Sequence, residues 1–287
     1  CCFAVGARFL PWRTPEVFSG EGSLLRAADI LRENGLRRPF VIASRRQCAD
    51  EHFRALQEKL DEQDILLSIF SSVEPNPSVE TVEKIAAQYK IDSCDCFLVI
   101  GGGSPMDAAK AAAARLARPD KPLSQLVGLL KVRRRIPPLI AVPTTAGTGS
   151  ETTIAAVVTG SDHHKYAISD LCLIPRYAIL DPVLTVGLPP HITAETGMDA
   201  LTHAVEAYLS RFYNTKQTRL LAENAVVTIF THLERAYRDG TSLPDRAAML
   251  QASFDAGAAF TRASVGNVHA IAHTLGVNSL ALPSLLE

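Results

Sequence analysis

Four residues in the second half of the chain have the types and spacing to hold a metal ion. The run Gly197-Met198-Asp199-Ala200-Leu201-Thr202-His203-Ala204-Val205-Glu206 puts Asp199 and His203 four apart, on one face of a helix. The run Val268-His269-Ala270-Ile271-Ala272-His273 repeats that spacing with two histidines set among apolar residues. A carboxylate oxygen and imidazole nitrogens together suit Fe²⁺ or Zn²⁺. A single pair of this kind is ordinarily a hydrogen-bonded pair at a surface or in a core. Two pairs on two helices of one domain, flanked by small apolar residues, favour a metal site.

A second chemistry sits in two glycine loops. Phe97-Leu98-Val99-Ile100 is a short strand of bulky apolar residues, and Gly101-Gly102-Gly103-Ser104-Pro105-Met106-Asp107 leads from it into an alanine-rich helix, Ala108 to Ala117. Ser104 is placed to cap that helix, Pro105 suits its first position, and Asp107 falls where a carboxylate reaches back to the cap. Bare glycines running into a helix start point unpaired N–H groups and a positive dipole end at one spot, which suits phosphate. Met106 stands where the dinucleotide fingerprint has its third small residue, so a tight structural turn remains the alternative. The strand Pro138 to Val142 ends in Pro143-Thr144-Thr145-Ala146-Gly147-Thr148-Gly149-Ser150-Glu151, a second loop of glycines and hydroxyls. Two such loops after two strands of one sheet favour a ligand over two structural turns.

The elements that must position these groups follow from the hydrophobic pattern. An amphipathic helix over residues 22–34 stops at Asn34-Gly35, and Pro39 to Ala43 is a buried strand. A helix from Cys48 to Leu60, a strand from Ile65 to Phe70 and a helix from Val79 to Tyr89 lead to the glycine strand. That alternation predicts a parallel sheet with right-handed crossovers, whose ligands bind beyond the carboxyl ends of the strands. Lys165 to Leu180 reads as strands and turns. Beyond Gly187-Leu188-Pro189-Pro190 the pattern turns helical, over Thr193–Ser210, Gln217–Tyr237, Ala247–Thr261 and Val268–Leu275. The expected organisation is an α/β domain over 1–187 and an all-helical domain over 188–287.

The bulk properties exclude other classes. The chain has 287 residues, 47% hydrophobic and 21% charged, which is the make-up of a protein with a real core. A formal net charge of −1 gives no field to gather nucleic acid, and the basic run Lys131 to Arg135 has no interleaved aromatics. No apolar run reaches the length of a membrane span, and the first residues lack the pattern of a signal peptide. Six cysteines without metal-type spacing read as reduced thiols in a cytoplasmic protein.

Four blocks in this order resemble the iron-containing, group III alcohol dehydrogenases: Gly101-Gly102-Gly103-Ser104-Pro105-x-Asp107, Pro143-Thr144-Thr145-x-Gly147-Thr148-x-x-Glu151, Gly197-Met198-Asp199-Ala200-Leu201-x-His203, and His269-x-x-x-His273-x-x-Gly276. The resemblance runs from about Phe18 to Gly276. It implies a first domain that binds NAD or NADP and a helical second domain holding Fe²⁺, or Zn²⁺, in the cleft between them. Gly102, Gly103 and Ser104 would cradle the pyrophosphate, with Asp107, Thr144, Thr145, Thr148 and Lys165 at other cofactor-binding positions. Asp199, His203 and His269 match metal ligands, and His273 matches a catalytic histidine that relays a proton near the reacting carbon. The implied reaction is hydride transfer between nicotinamide and a small alcohol, aldehyde or ketone. Glycerol dehydrogenase and dehydroquinate synthase types share this architecture, and a catalytically inactive nucleotide-binding fragment is a further alternative. A homo-oligomer, a dimer, is expected, with no nucleic-acid or membrane partner.

Two departures from the family carry expectations of their own. The family has a further histidine ligand in a Pro-His-Gly motif about ten residues beyond the glycine matching Gly276. Here Val277 to Glu287 contains no histidine, so a shortened helical domain and a weaker, three-ligand metal site are expected. NAD-preferring relatives carry Asp after the strand matching Pro39–Ala43, where this chain reads Ser44-Arg45-Arg46, and its next acid is Asp50. With no carboxylate to repel a 2′-phosphate and an arginine such as Arg45 to pair with it, NADP is expected to be accepted at least as well as NAD.

Overall fold

The computed structural model describes residues 10–210, 214–264, 266–269 and 271. Its strands in chain order are β1 (Glu16–Ser19), β2 (Pro39–Ala43), β3 (Ser68–Phe70), β4 (Cys96–Gly101), β5 (Gly128–Leu129), β6 (Leu139–Pro143), β7 (Ala155–Thr159), β8 (Lys165–Ser169) and β9 (Tyr177–Leu180). The helices are α1 (Arg26–Glu33), α2 (Arg45–Cys48), α3 (Glu51–Asp61), α4 (Val79–Ile91), α5 (Gly103–Ala117), α6 (Pro190–Leu209), α7 (Lys216–Arg238) and α8 (Leu243–Ala263).

Among the described residues, six strands form one sheet in the order β1-β9-β6-β4-β2-β3, with every neighbouring pair parallel. β2, β4 and β6 are buried along their whole length, because each face of the sheet carries its own helical layer. Alternate residues divide between the layers. Phe40, Ile42, Phe97, Val99, Leu139 and Ala141 pack under α4 and α5. Val41, Ala43, Leu98, Ile100, Ile140 and Val142 pack under α1 and α3. The helix that follows β2 therefore covers one face and the helix that follows β4 covers the other. The chain leaves these adjacent strands in opposite directions, which opens a crevice at their carboxyl ends. β5, β8 and β7 form a small second sheet beside it.

The helical half packs through small residues. Ala204 on α6, Ala225 on α7 and Ala256 on α8 meet in one cluster, and Ala207, Ala222, Ala259 and Ala263 in another. Alanine at these contacts lets three long helices approach closely, which is what holds side chains of α6 in fixed register with α8. The sequence places these helices correctly but starts α6 and α8 three to four residues late. Both begin with a proline in the first turn, a position that needs no N–H partner. The helix expected over Val268–Leu275 lies largely outside the described residues.

Other boundaries differ for identifiable reasons. The helix expected from Cys48 to Leu60 begins at Glu51 as α3, because the Asp50 side chain accepts the His52 N–H and caps it, while Cys48 ends the separate short helix α2. The strand expected from Ile65 keeps only Ser68–Phe70 at the sheet edge, while Ile65 is buried against the end of α3. β1, Glu-Val-Phe-Ser, is too short and too mixed in composition to be read from the pattern. Among the described residues no helix is long and apolar enough to cross a membrane.

Candidate functional site

Asp199 and His203 project from one face of α6, and His269 from the segment beyond α8 reaches the same point. One ligand-type atom from each lies within 4.8 Å of the others. Asp199 Oδ1 is 3.9 Å from His203 Nδ1 and 3.7 Å from His269 Nε2. His203 is 7% exposed, and its ring is stacked between Phe260 and His269, with centroids 4.1 and 4.3 Å away. Its Nδ1 is buried without a hydrogen-bond partner, a cost that a metal ion at this point would remove. Burial holds the His203 imidazole down at about 4, against the attraction of Asp199, so the ring is a neutral donor at ordinary pH. His269 moves the other way, raised chiefly by its hydrogen bond to Asp199. Two imidazoles and a carboxylate this close, with an orphaned nitrogen among them, fit a divalent metal.

The first glycine loop is organised differently from its sequence reading. α5 begins at Gly103, with Gly102 as the capping residue, so Ser104 is inside the first turn and does not cap it. The Ser104 hydroxyl instead accepts the N–H of Asn76 at 3.2 Å. Asp107 does not reach back to the cap either; its Oδ1 accepts the Ser150 hydroxyl at 3.2 Å. The helix start is thus bare backbone, which leaves more N–H groups for a ligand than a serine cap would.

The second loop faces the first across a narrow gap. A Cβ on Gly102 would come within 3.0 Å of the Thr145 hydroxyl, and one on Gly103 within 3.0 Å of the Thr148 methyl. Lys110, wholly buried, holds this loop in place. Its ammonium donates to the carbonyls of Ser150, Thr153 and Ala155 at 2.5, 3.0 and 3.1 Å and to the hydroxyls of Ser150 and Thr153 at 3.1 and 2.8 Å. Asp107 and Glu151 flank it. Burial raises Asp107 to about 6 and Glu151 to about 7, and burial lowers Lys110 to about 8, each shift opposed by the charges of the others. Gly149, at φ +57°, touches Gly257 of α8, and Gly147 lies against the backbone of Thr196 on α6. The loop therefore packs directly on the two helices that carry the metal cluster and Phe260.

Two cavities open on either side of these loops. The larger, of about 690 Å³, is walled by Gly103, Ser104, Asp107, Thr148 and Lys165 on one side and by Asp199, His203 and His269 on the other. The smaller, of about 300 Å³, is lined by Ser44, Arg46, Gln47 and Thr144 and closed by Leu188. Thr144 accepts Gln47 Nε2 at 3.0 Å through its hydroxyl. Ser44 reaches this cavity but is also the cap of α2, its Oγ accepting the Gln47 N–H at 3.2 Å. Arg45 does not line it. Arg46 does, held by a bond to the Gly187 carbonyl at 3.3 Å, so the arginine expected at position 45 is replaced by its neighbour. In a one-turn helix successive side chains diverge by about 100°, and only one of the two can face the cleft.

His273 and the stretch from Gly276 to Glu287 lie outside the described residues. Three residues that the site uses were not singled out from the sequence: Glu206, Lys110 and Phe260. Glu206 was legible in principle, being three residues beyond His203 on the same face of α6.

The family model described as "Iron-containing alcohol dehydrogenase" matches residues 14–182, and that described as "Fe-containing alcohol dehydrogenase family, C-terminal" matches residues 193–281. The chain is 36% identical over 283 residues to the probable alcohol dehydrogenase EutG of Escherichia coli (strain K12), covering 95% of this chain and 71% of that protein. Among solved structures, the iron-containing alcohol dehydrogenase of Thermotoga maritima superposes with a TM-score of 0.85 at 34% identity, covering 93% of this chain and 73% of its own. Sulfoacetaldehyde reductase from Bifidobacterium kashiwanohense, solved in complex with NAD⁺, superposes with a TM-score of 0.82 at 32% identity over 93% of this chain and 71% of that one. With matched blocks in the parallel sheet, both glycine loops and the helices bearing the metal cluster, this chain belongs to the iron-containing alcohol dehydrogenase family.

Proposed function

We propose that this chain is part or all of a metal-dependent, NAD(P)-linked dehydrogenase that interconverts a small alcohol with its aldehyde or ketone. One observation carries the reading. The three potential ligands and the glycine-loop helix start line the same cavity, so a substrate oxygen at the cluster and a nicotinamide entering past Gly103 would meet within it.

In this reading Asp199, His203 and His269 hold Fe²⁺ or Zn²⁺, which when bound polarises the substrate oxygen as a Lewis acid. Gly102, Gly103 and the start of α5 hold the pyrophosphate through backbone N–H groups. Thr145 and Thr148 close the gap over it, and Lys165 supplies a positive charge on the cavity wall. Leu129, Leu130, Ile154, Val157 and Phe260 make the remaining wall apolar, which excludes water from a hydride transfer and limits the site to small substrates. The smaller cavity takes the adenosine end, where Arg46 meets a 2′-phosphate; the acid that also lines it, Asp50, is engaged by the backbone N–H and ring nitrogen of His52. NADP is therefore accepted at least as well as NAD.

The test is fluorescence titration with NADH and NADPH, run beside a turnover screen of small alcohols and aldehydes with Fe²⁺ or Zn²⁺ added. Turnover that disappears in Asp199→Ala, while both nicotinamides still bind, is the expected result. Arg46→Ala should weaken NADPH binding roughly tenfold, about 1.4 kcal/mol, and leave NADH nearly unchanged. Nicotinamide binding without turnover on any substrate or metal would instead identify an inactive binding protein.

A further inference from the structure

Glu206 is a buried carboxylate, 8% exposed, in an α-helical interior, and among the described residues no Lys or Arg is bonded to it. Among the described residues its side-chain bonds run to the segment that carries His269. Oε2 accepts the Gly266 N–H at 2.8 Å and meets His269 Nδ1 at 2.5 Å, while Oε1 accepts the Val268 N–H at 2.6 Å. A carboxylate that receives Nδ1–H fixes the imidazole tautomer, leaving the lone pair on Nε2. That nitrogen is the one turned toward Asp199, 3.7 Å from its Oδ1. Glu206 lies on the same helix as Asp199 and His203, so it ties the third ligand to the element that bears the other two.

We propose that Glu206 is the positioning residue of the metal centre, setting the orientation and basicity of His269 through Nδ1 without touching the ion. The proposal rests on the reading of Asp199, His203 and His269 as ligands. The backbone around it is shaped for this carboxylate: a Cβ on Gly266 would come within 2.9 Å of Glu206 Oε1. Gly266→Ala therefore moves the carboxylate while leaving its chemistry intact, and because the clash falls on the far end of a side chain the fold can yield to it. Glu206→Gln acts the other way. It keeps the volume but replaces one acceptor oxygen with an NH₂ that faces a donor.

The experiment is Co²⁺ titration of the full chain against a competing chelator, with the visible spectrum of the bound ion recorded for wild type, Glu206→Gln, Gly266→Ala and Asp199→Ala. Both Glu206→Gln and Gly266→Ala should bind Co²⁺ roughly 10- to 100-fold more weakly than wild type, with an altered ligand-field spectrum. A carboxylate that merely stitched the chain segment together would leave that spectrum unchanged. Binding within twofold of wild type and an unaltered spectrum in Gly266→Ala would overturn the proposal, as would the same result in Glu206→Gln. If wild type itself binds Co²⁺ no better than Asp199→Ala, the reading of the cluster as a metal centre fails and takes the proposal with it, an outcome visible before either Glu206 variant is compared.

Discussion

The two walls of the large cavity are built by different means. On the sheet side the ligand-facing groups are backbone N–H and small hydroxyls, presented by loops that follow β4 and β6. On the helical side they are two imidazoles and a carboxylate, Asp199 and His203 presented by α6 of the alanine-packed helices and His269 by the segment beyond α8. A backbone-built wall can fail only if its loop moves, so it depends on whatever clamps the loop. A side-chain-built wall can lose its ligands one at a time while the helices stay where they are. Robustness of fold and robustness of site are therefore distributed oppositely between the two walls.

The sharpest way to break that contrast is at Lys110. It joins α5 to the loop through five oxygen contacts, and its charge is attracted by Asp107 and Glu151. Lys110→Met fills much of the volume but leaves those acceptors and charges unmatched. It should lower stability by about 3–5 kcal/mol, read from denaturant unfolding, and abolish nicotinamide binding at temperatures where the protein remains folded. A variant with near wild-type stability would show that the loop holds itself.

A smaller effect is expected where the two walls touch. A Cβ on Gly257 would lie 2.8 Å from the Gly149 Cα and 2.8 Å from its carbonyl oxygen, both backbone atoms that cannot rotate away. Gly257→Ala should cost about 1–3 kcal/mol. It should also weaken both Co²⁺ and NADH binding, since α8 and the loop would be pushed apart. Loss of one without the other would mean that the walls are not in mechanical register.

How much of this was legible beforehand follows the same division. The parallel sheet was readable because Phe40–Ile42, Phe97–Ile100 and Leu139–Val142 are continuous apolar runs, and a strand covered on both faces has no other pattern available. The Asp199–His203 pair was readable because helix geometry is local. The Ser104 cap was misread because Gly102, one of three glycines ahead of it, takes the cap position, and composition alone does not say which residue leaves the helix. Lys110 sits in an alanine helix that could have shown its lysine to solvent, and only the loop forty residues on explains its burial. Glu206 likewise answers to a segment sixty residues away. Arg45 and Arg46 are adjacent, and which of them faces the cleft is set by the phase of the short helix that starts at the Ser44 cap, which composition does not show.

The smallest effect tests the clamp by proton linkage. Glu151 is buried with one carboxylate oxygen lacking a hydrogen-bond partner, and burial lifts it from 4.5 to about 7, against its backbone bond and the attraction of Lys110. Between pH 4.5 and 7 the folded chain therefore keeps a proton that the unfolded chain has released. Stability is then fully supported below pH 4.5 and declines as pH rises to 7, after which this group adds no further slope. Asp107, raised from 3.8 to about 6, gives a decline of the same sign between pH 3.8 and 6. Lys110 remains charged throughout this window, since its lowered value of about 8 lies above it. Glu151→Gln is neutral at every pH and removes one of the two declines, while the histidines and surface carboxylates titrate alike in both proteins and cancel in the difference. The melting temperature of the variant should thus gain on wild type as pH rises from 4.5 to 7. Parallel curves across that range would show that burial does not lift Glu151 above its ordinary value in the folded chain.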